Sequence, residues 1–320
     1  MKPRTKVWLI IAASLVLLGC ILFAGVMITL KWDFMELATV NYETNTYEIS
    51  EAFDSISMNT DTADIVFALS NDGKCRVECR EEENAKHSVT VEDSTLTVEL
   101  TDERSLYDFI GLNFDTPKIT VYLPKTEYTS LLIDESTGDI GIPKDFGFDH
   151  VEITLSTGDV MFRASASETV KIKTSTGDIR VENVSAGALD LSVSTGKVTV
   201  SGVTCEAEVT VGVSTGKAML IDTRCKSVIS SGSTGDILLN NVIAAEKFSI
   251  ERSTGDVKLD GSDAAEIFIE TNTGDVSGSL LTDKVFITQT DTGRIRVPQS
   301  VAGGRCKITT DTGDITIDIE

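Results

Sequence analysis

The chain has 320 residues, of which 41% are hydrophobic and 24% charged, and its formal net charge is −22. Its 50 acidic against 28 basic side chains repel nucleic acid, and also anionic lipid or wall polymer unless cations bridge the two, so nucleic-acid binding is excluded. His87 and His150 are the only histidines, and no Cys/His pair has the spacing of a zinc site.

In chain order, Lys2, Arg4 and Lys6 precede 24 residues, 7–30, that are apolar or small apart from Ser14 and Thr29. As a helix this run reaches about 36 Å, enough to cross a hydrocarbon core of about 30 Å with some tilt. A cleavable signal peptide has a shorter apolar core followed by a small-residue cleavage site, and neither is seen, so an uncleaved transmembrane helix is expected. The cations on the short flank are expected to put residues 1–6 in the cytoplasm and everything after residue 31 outside the cell membrane. Leu17, Leu18, Gly19 and Cys20 resemble a lipoprotein box, but the apolar run continues ten residues beyond Cys20.

Residues 31–46 read as a juxtamembrane linker. Residues 47–130 show strand alternation, as in Ser88-Val-Thr-Val and Thr95-Leu-Thr-Val-Glu-Leu, and Asp61-Thr-Ala-Asp-Ile echoes the repeat that follows. This segment is expected to be an irregular β cap or the first coils of that repeat, since an uncovered coil exposes a strand ladder.

From residue 131 to 320 a unit of 19–20 residues recurs, with Thr-Gly followed by a charged residue at Gly138, Gly158, Gly177, Gly196, Gly216, Gly235, Gly255, Gly274, Gly293 and Gly313. Apolar residues recur seven before each glycine and two and four after it, as in Val170, Ile179 and Val181, and Val184, Val203, Val242 and Leu281 mark a further inward corner. Alternation by two on both sides of a Ser-Thr-Gly-Asp turn is the pattern of two half-buried strands. So short a unit cannot bury its own apolar face, and the copies must stack in register at about 4.8 Å, predicting an all-β, right-handed parallel β-solenoid about 45–50 Å long. The chain stops at Glu320 directly after a repeat, which makes that end a candidate docking or self-association edge.

Stacking brings the residues after glycine into one ladder. Asp139, Asp159, Asp178, Asp236, Asp256 and Asp275 are candidate calcium ligands, as in other β-roll repeats, although Asp is equally a good turn residue and the pattern Gly-Gly-x-Gly-x-Asp is absent. Lys197, Lys217 and Arg294 interrupt the like charges. The threonines before glycine form a cross-strand ladder that could also order water or meet a flat polymer face. Five cysteines lie outside the membrane, an odd number that is no closed disulfide framework; Cys205 and Cys225 fall one coil apart, either as a disulfide or as stacked thiols.

No catalytic residues or cofactor stand out. Acidic side chains come once per coil, and from Thr129 onward there is no Trp or Tyr to serve as a sugar platform. The expected role is a non-catalytic cell-surface interaction or scaffold module. A self-assembling structural solenoid is the alternative, and a carbohydrate-active β-helix enzyme the third class. Expected partners are the membrane through residues 7–30 and another envelope protein, wall polymer or a second copy.

The order anchor, irregular β region, then Ser136-Thr-Gly-Asp-Ile, Ser156-Thr-Gly-Asp-Val, Ser175-Thr-Gly-Asp-Ile, Ser233-Thr-Gly-Asp-Ile and Ser253-Thr-Gly-Asp-Val, resembles the bacterial "putative adhesin" family of β-strand-repeat proteins. Val121-Tyr-Leu-Pro resembles that family's strand leading into the repeats, and the likeness spans roughly residues 50–320. The resemblance implies a membrane-anchored envelope protein with an envelope-sensing or scaffold role, and it transfers no catalytic or binding residue.

Overall fold

The computed structural model describes residues 3–33, 40–104 and 115–320. Helix α1 (Pro3–Thr29) has an apolar stretch, Thr5–Thr29, long enough to cross a membrane, and the chain leaves it through left-handed Lys31 and Trp32. Among the described residues, all the remaining regular structure is strand.

Seven strands precede the regular repeats: β1 (Tyr42–Ile49), β2 (Ser55–Thr62), β3 (Asp64–Leu69), β4 (Cys75–Glu82), β5 (Ala85–Glu92), β6 (Thr95–Asp102) and β7 (Lys118–Leu123). The first repeat coil is β8 (Glu127–Thr137) plus β9 (Ile140–Ile142), joined by the Ser-Thr-Gly-Asp turn. The strands β2 and β3 form a coil of the same kind, pairing in parallel with β8 and β9 through Ile56↔Leu131 and Ile65↔Ile140. Ala63 occupies its glycine place, with a backbone that is not left-handed. On its other side β2 pairs with β6 and β3 with β7, again in parallel. Finally β4 pairs antiparallel with β7, β1 with β4, and β5 with β6, so antiparallel strands cap the parallel stack.

From β8 onward each coil lies on the one before it in register, as in Val151↔Leu131, Val170↔Val151 and Leu189↔Val170, up to the Gly274 coil. The apolar columns fill the interior: Leu131, Ile133, Ile140 and Ile142 of the first coil, and their counterparts up to the Gly255 coil, are at most 2% exposed. At the further corner Val184, Val203 and Val242 are buried as expected, but Leu281 is exposed and Leu280 takes the inward place.

Beyond Gly274 the stack departs from chain order. Strand Gly304–Thr312 pairs with Asp263–Thr273 on one side and with Lys284–Thr292 on the other, and Ile315–Ile319 lies between Val276–Leu280 and Ile295–Arg296. The Gly313 coil is therefore inserted between the Gly274 and Gly293 coils. A buried ion pair closes over the inserted rung: Lys284 Nζ lies 2.6 Å from Asp263 Oδ1, which it reaches past Gly304, and Thr282 Oγ1 donates to Asp263 Oδ2 at 2.6 Å. The expectation that the stack ends at Glu320 is corrected by this pairing. The outermost coil is that of Gly293, with Val285, Ile287 and Ile295 exposed, because that coil has a neighbour on one side only among the described residues.

This order has a consequence for stability. Ile315→Ala, at a fully buried position, is expected to cost about 2–5 kcal/mol, whereas Ile295→Ala, at a position 45% exposed, is expected to stay within about 1 kcal/mol. Urea denaturation of both variants checks it, since a stack in chain order would reverse the two values.

Candidate functional site

The turn that builds the outer face also packs the coils. All ten repeat glycines have φ between 122° and 158°, a region that side chains rarely adopt. A Cβ at any of them would sit 1.6 to 2.2 Å from the carbonyl oxygen of the equivalent residue in the neighbouring coil. The neighbouring threonines pair directly, as in Thr137↔Thr157 and Thr254↔Thr273, and their side chains, with the preceding serines, form exposed hydroxyl ladders.

The six aspartates that the sequence marks as candidate calcium ligands fall in two runs, Asp139, Asp159, Asp178 and Asp236, Asp256, Asp275. In every one, Oδ1 accepts the backbone N–H of the next coil's equivalent residue: Asp159, Asp178 and Lys197 donate at 2.8, 2.8 and 3.0 Å, and Asp256, Asp275 and Asp314 at 3.2, 2.9 and 2.8 Å. The carboxylates thus replace the carbonyls that a continuous strand would offer at the turn. Where Lys197 and Lys217 stand instead, the strands run unbroken through the turn and pair Gly196↔Gly216 and Lys197↔Lys217. Cations answer the accumulated charge: Arg180 bridges Asp159 and Asp178, Lys217 meets Asp236 at 3.3 Å, and Arg294 meets Asp314 at 2.9 Å.

Two open grooves run along the stack. One, about 710 Å³, is lined by Ser192, Ser194, Ser214, Ser231, Ser233 and Ser253, with Lys173 and Glu270 also on its walls. Arg252 belongs to the same groove and is 4% exposed; its Nη2 donates to Ser230 Oγ at 2.8 Å, and the absent side chain of Gly232 makes room for Nη1. The other, about 910 Å³, includes Phe146, Phe148, Lys125, Lys144 and Glu206.

Cys205 and Cys225 are buried free thiols one coil apart, following the paired residues Thr204 and Arg224. Within the cap, the structure brings together residues that sequence spacing sets apart: one ligating atom each from Cys79, Glu81 and His87 lies within 4.8 Å of the other two, and all three residues are buried. The signal available in the sequence is Cys-x-Glu followed after five residues by His, which becomes meaningful only once a hairpin is placed between them.

Glu135 is the inward residue three before Gly138, and it is 1% exposed. Its Oε1 accepts the Ala63 N–H at 3.1 Å, while Oε2 and the Oγ1 of its paired residue Thr60 have no partner among the described residues. Burial pushes its carboxyl up to about 8; the amides of Ala63 and Thr137 oppose the shift, and Asp61 and Asp64 add to it. The folded chain therefore holds this proton to about pH 8, whereas a free glutamate loses it near 4.5, so stability falls as pH rises through that window. Glu135→Gln is expected to remove the decline and leave the variant a few kcal/mol more stable than the parent at the upper end, read by urea denaturation against pH.

A family model described as Toastrack DUF4097 matches residues 53–214 and 208–320. Among solved structures, the chain is similar to a "putative adhesin" from Bacteroides fragilis, at 17% identity over 88% of this chain and 97% of that one, with a TM-score of 0.42. It is also similar to a "putative lipid binding protein" from Parabacteroides distasonis, at 18% identity over 75% of this chain and 95% of that one, with a TM-score of 0.49. A third, a "putative adhesin" from Parabacteroides merdae, has 12% identity over 88% and 98%, with a TM-score of 0.43. No curated protein matches the chain.

Proposed function

The chain belongs to the Toastrack DUF4097 family, and on that premise we propose that it is a membrane-anchored bacterial envelope rod that works by binding other envelope components and not by catalysis. The observation that carries this reading is the division of labour along the stack. The acidic side chains hold coil to coil, and the outer face is left with in-register hydroxyl ladders and long grooves, a geometry suited to an extended partner.

In this reading helix α1 is the anchor, which its apolar length supports, and the solenoid lies outside the membrane, which the basic N-terminal flank supports. Outside, the protein meets wall polymer and the exposed parts of other membrane proteins. A second reading, self-assembly through the end of the stack, is favoured by the outermost strand Lys284–Thr292, which presents Val285 and Ile287 beside a ladder paired, among the described residues, on one side only.

A photo-crosslinking side chain placed at Ser214, in the serine groove, and separately at Ile287, on the outermost strand, distinguishes the readings in living cells of the native host. The expected result is an adduct between the Ser214 position and another envelope component. Adducts to a second copy from Ile287 alone would establish the self-assembling reading, and the absence of any adduct at either position would contradict both.

A further inference from the structure

We propose that Cys79, Glu81 and His87 form a binding site for one divalent metal ion of the zinc class inside the N-terminal cap. The site is independent of the interaction role argued above.

Strand alternation explains how the three meet. Cys79 and Glu81 are two apart on β4 and both point inward, at 0% exposure. The hairpin turns at Glu82↔Ala85 and brings His87, 4% exposed, over the same interior from β5. Thiolate, carboxylate and imidazole are the donors that zinc takes, and two anionic ligands neutralise a divalent cation, so the bound ion leaves no net charge in the buried cap.

A second observation points to a ligand. Nδ1 of His87 meets Glu81 Oε2 at 2.7 Å, but Nε2 is buried with no partner among the described residues. Both ring nitrogens are thus within the chemistry of the site: a cation replaces the proton shared between Nδ1 and Glu81, or Glu81 orients the ring while Nε2 ligates. Asn45 Nδ2 donates to Glu81 Oε1 at 2.7 Å, and rotation of that amide presents its oxygen as a further ligand. The Tyr47 hydroxyl donates to the His87 carbonyl at 2.8 Å and fixes the β5 backbone. His87 also belongs to the wall of a cavity of about 210 Å³ that includes Glu82, Leu100 and Arg104. The cation takes Cys79 as its thiolate, and the thiol proton leaves to solvent as the ion binds.

The test uses full-length protein in detergent, stripped with a chelator, loaded with Zn²⁺ or Co²⁺ and dialysed. The expected outcome is one zinc per chain, with X-ray absorption showing one sulfur neighbour at about 2.3 Å and nitrogen or oxygen neighbours at about 2.0–2.1 Å. The cobalt form is expected to show a thiolate-to-metal charge-transfer band that Cys79→Ser abolishes and Cys225→Ser leaves in place. His87→Gln is expected to weaken zinc binding at least about tenfold. No retained zinc, zinc with no sulfur neighbour, or a band that survives Cys79→Ser would overturn the proposal, the last two meaning metal held elsewhere. If Cys79→Ser does not fold, the sulfur neighbour in the unaltered protein decides alone.

Discussion

The structure depends on one close contact, the backbone of each Thr-Gly turn lying against the carbonyl of the turn below. A coil spacing of about 4.8 Å leaves no room for a Cβ there, and a left-handed φ lets the chain reverse without one. In the repeats that place is always glycine, and the Cβ it lacks would fall inside the next backbone. Once the turn is fixed, register follows. Threonine meets threonine, the apolar residues at fixed offsets meet their own kind, and the interior becomes a set of columns instead of a single globular core.

The charge of the protein makes sense on the same frame. Where an aspartate follows the repeat glycine, it accepts the amide that the turn would otherwise leave without a carbonyl, so most of the acidic ladder is structural. Arg180, Lys217 and Arg294 sit where they offset its repulsion. The hydroxyl rows, the grooves and the final coil are what the solenoid presents outward.

The solenoid was legible because its signal is periodic: ten glycines at a spacing of 19–20, flanked by alternating strands, admit few other folds. The Asp61-Thr-Ala-Asp-Ile echo marked β2 and β3 as a coil of the same kind, but the pairing order at the two ends was not legible, for one physical reason. At each end a later segment is inserted beside or beneath an earlier one, β6 and β7 outside β2 and β3, and the Gly313 coil inside the Gly293 coil. Every coil carries the same pattern, so periodicity cannot say which neighbour it chooses; local features do, such as Lys284 reaching Asp263 past Gly304. The cap cluster was hidden likewise, since Cys79 and His87 become neighbours only through the β4–β5 hairpin.

The central claim is that the repeat glycines are required by contact with the coil below, and paired alanine substitutions test it. Gly177 has φ 134° and lies where a Cβ would be 1.9 Å from the Gly158 carbonyl oxygen, whereas Gly141 has a normal backbone and its nearest neighbour would be 4.0 Å away. Urea denaturation is predicted to show Gly177→Ala destabilised by about 3 kcal/mol or more and Gly141→Ala unchanged or stabilised by up to about 1 kcal/mol. Equal, small effects at both positions would contradict the account, because the turn would then tolerate a side chain and the coil stack would rest on its apolar columns alone.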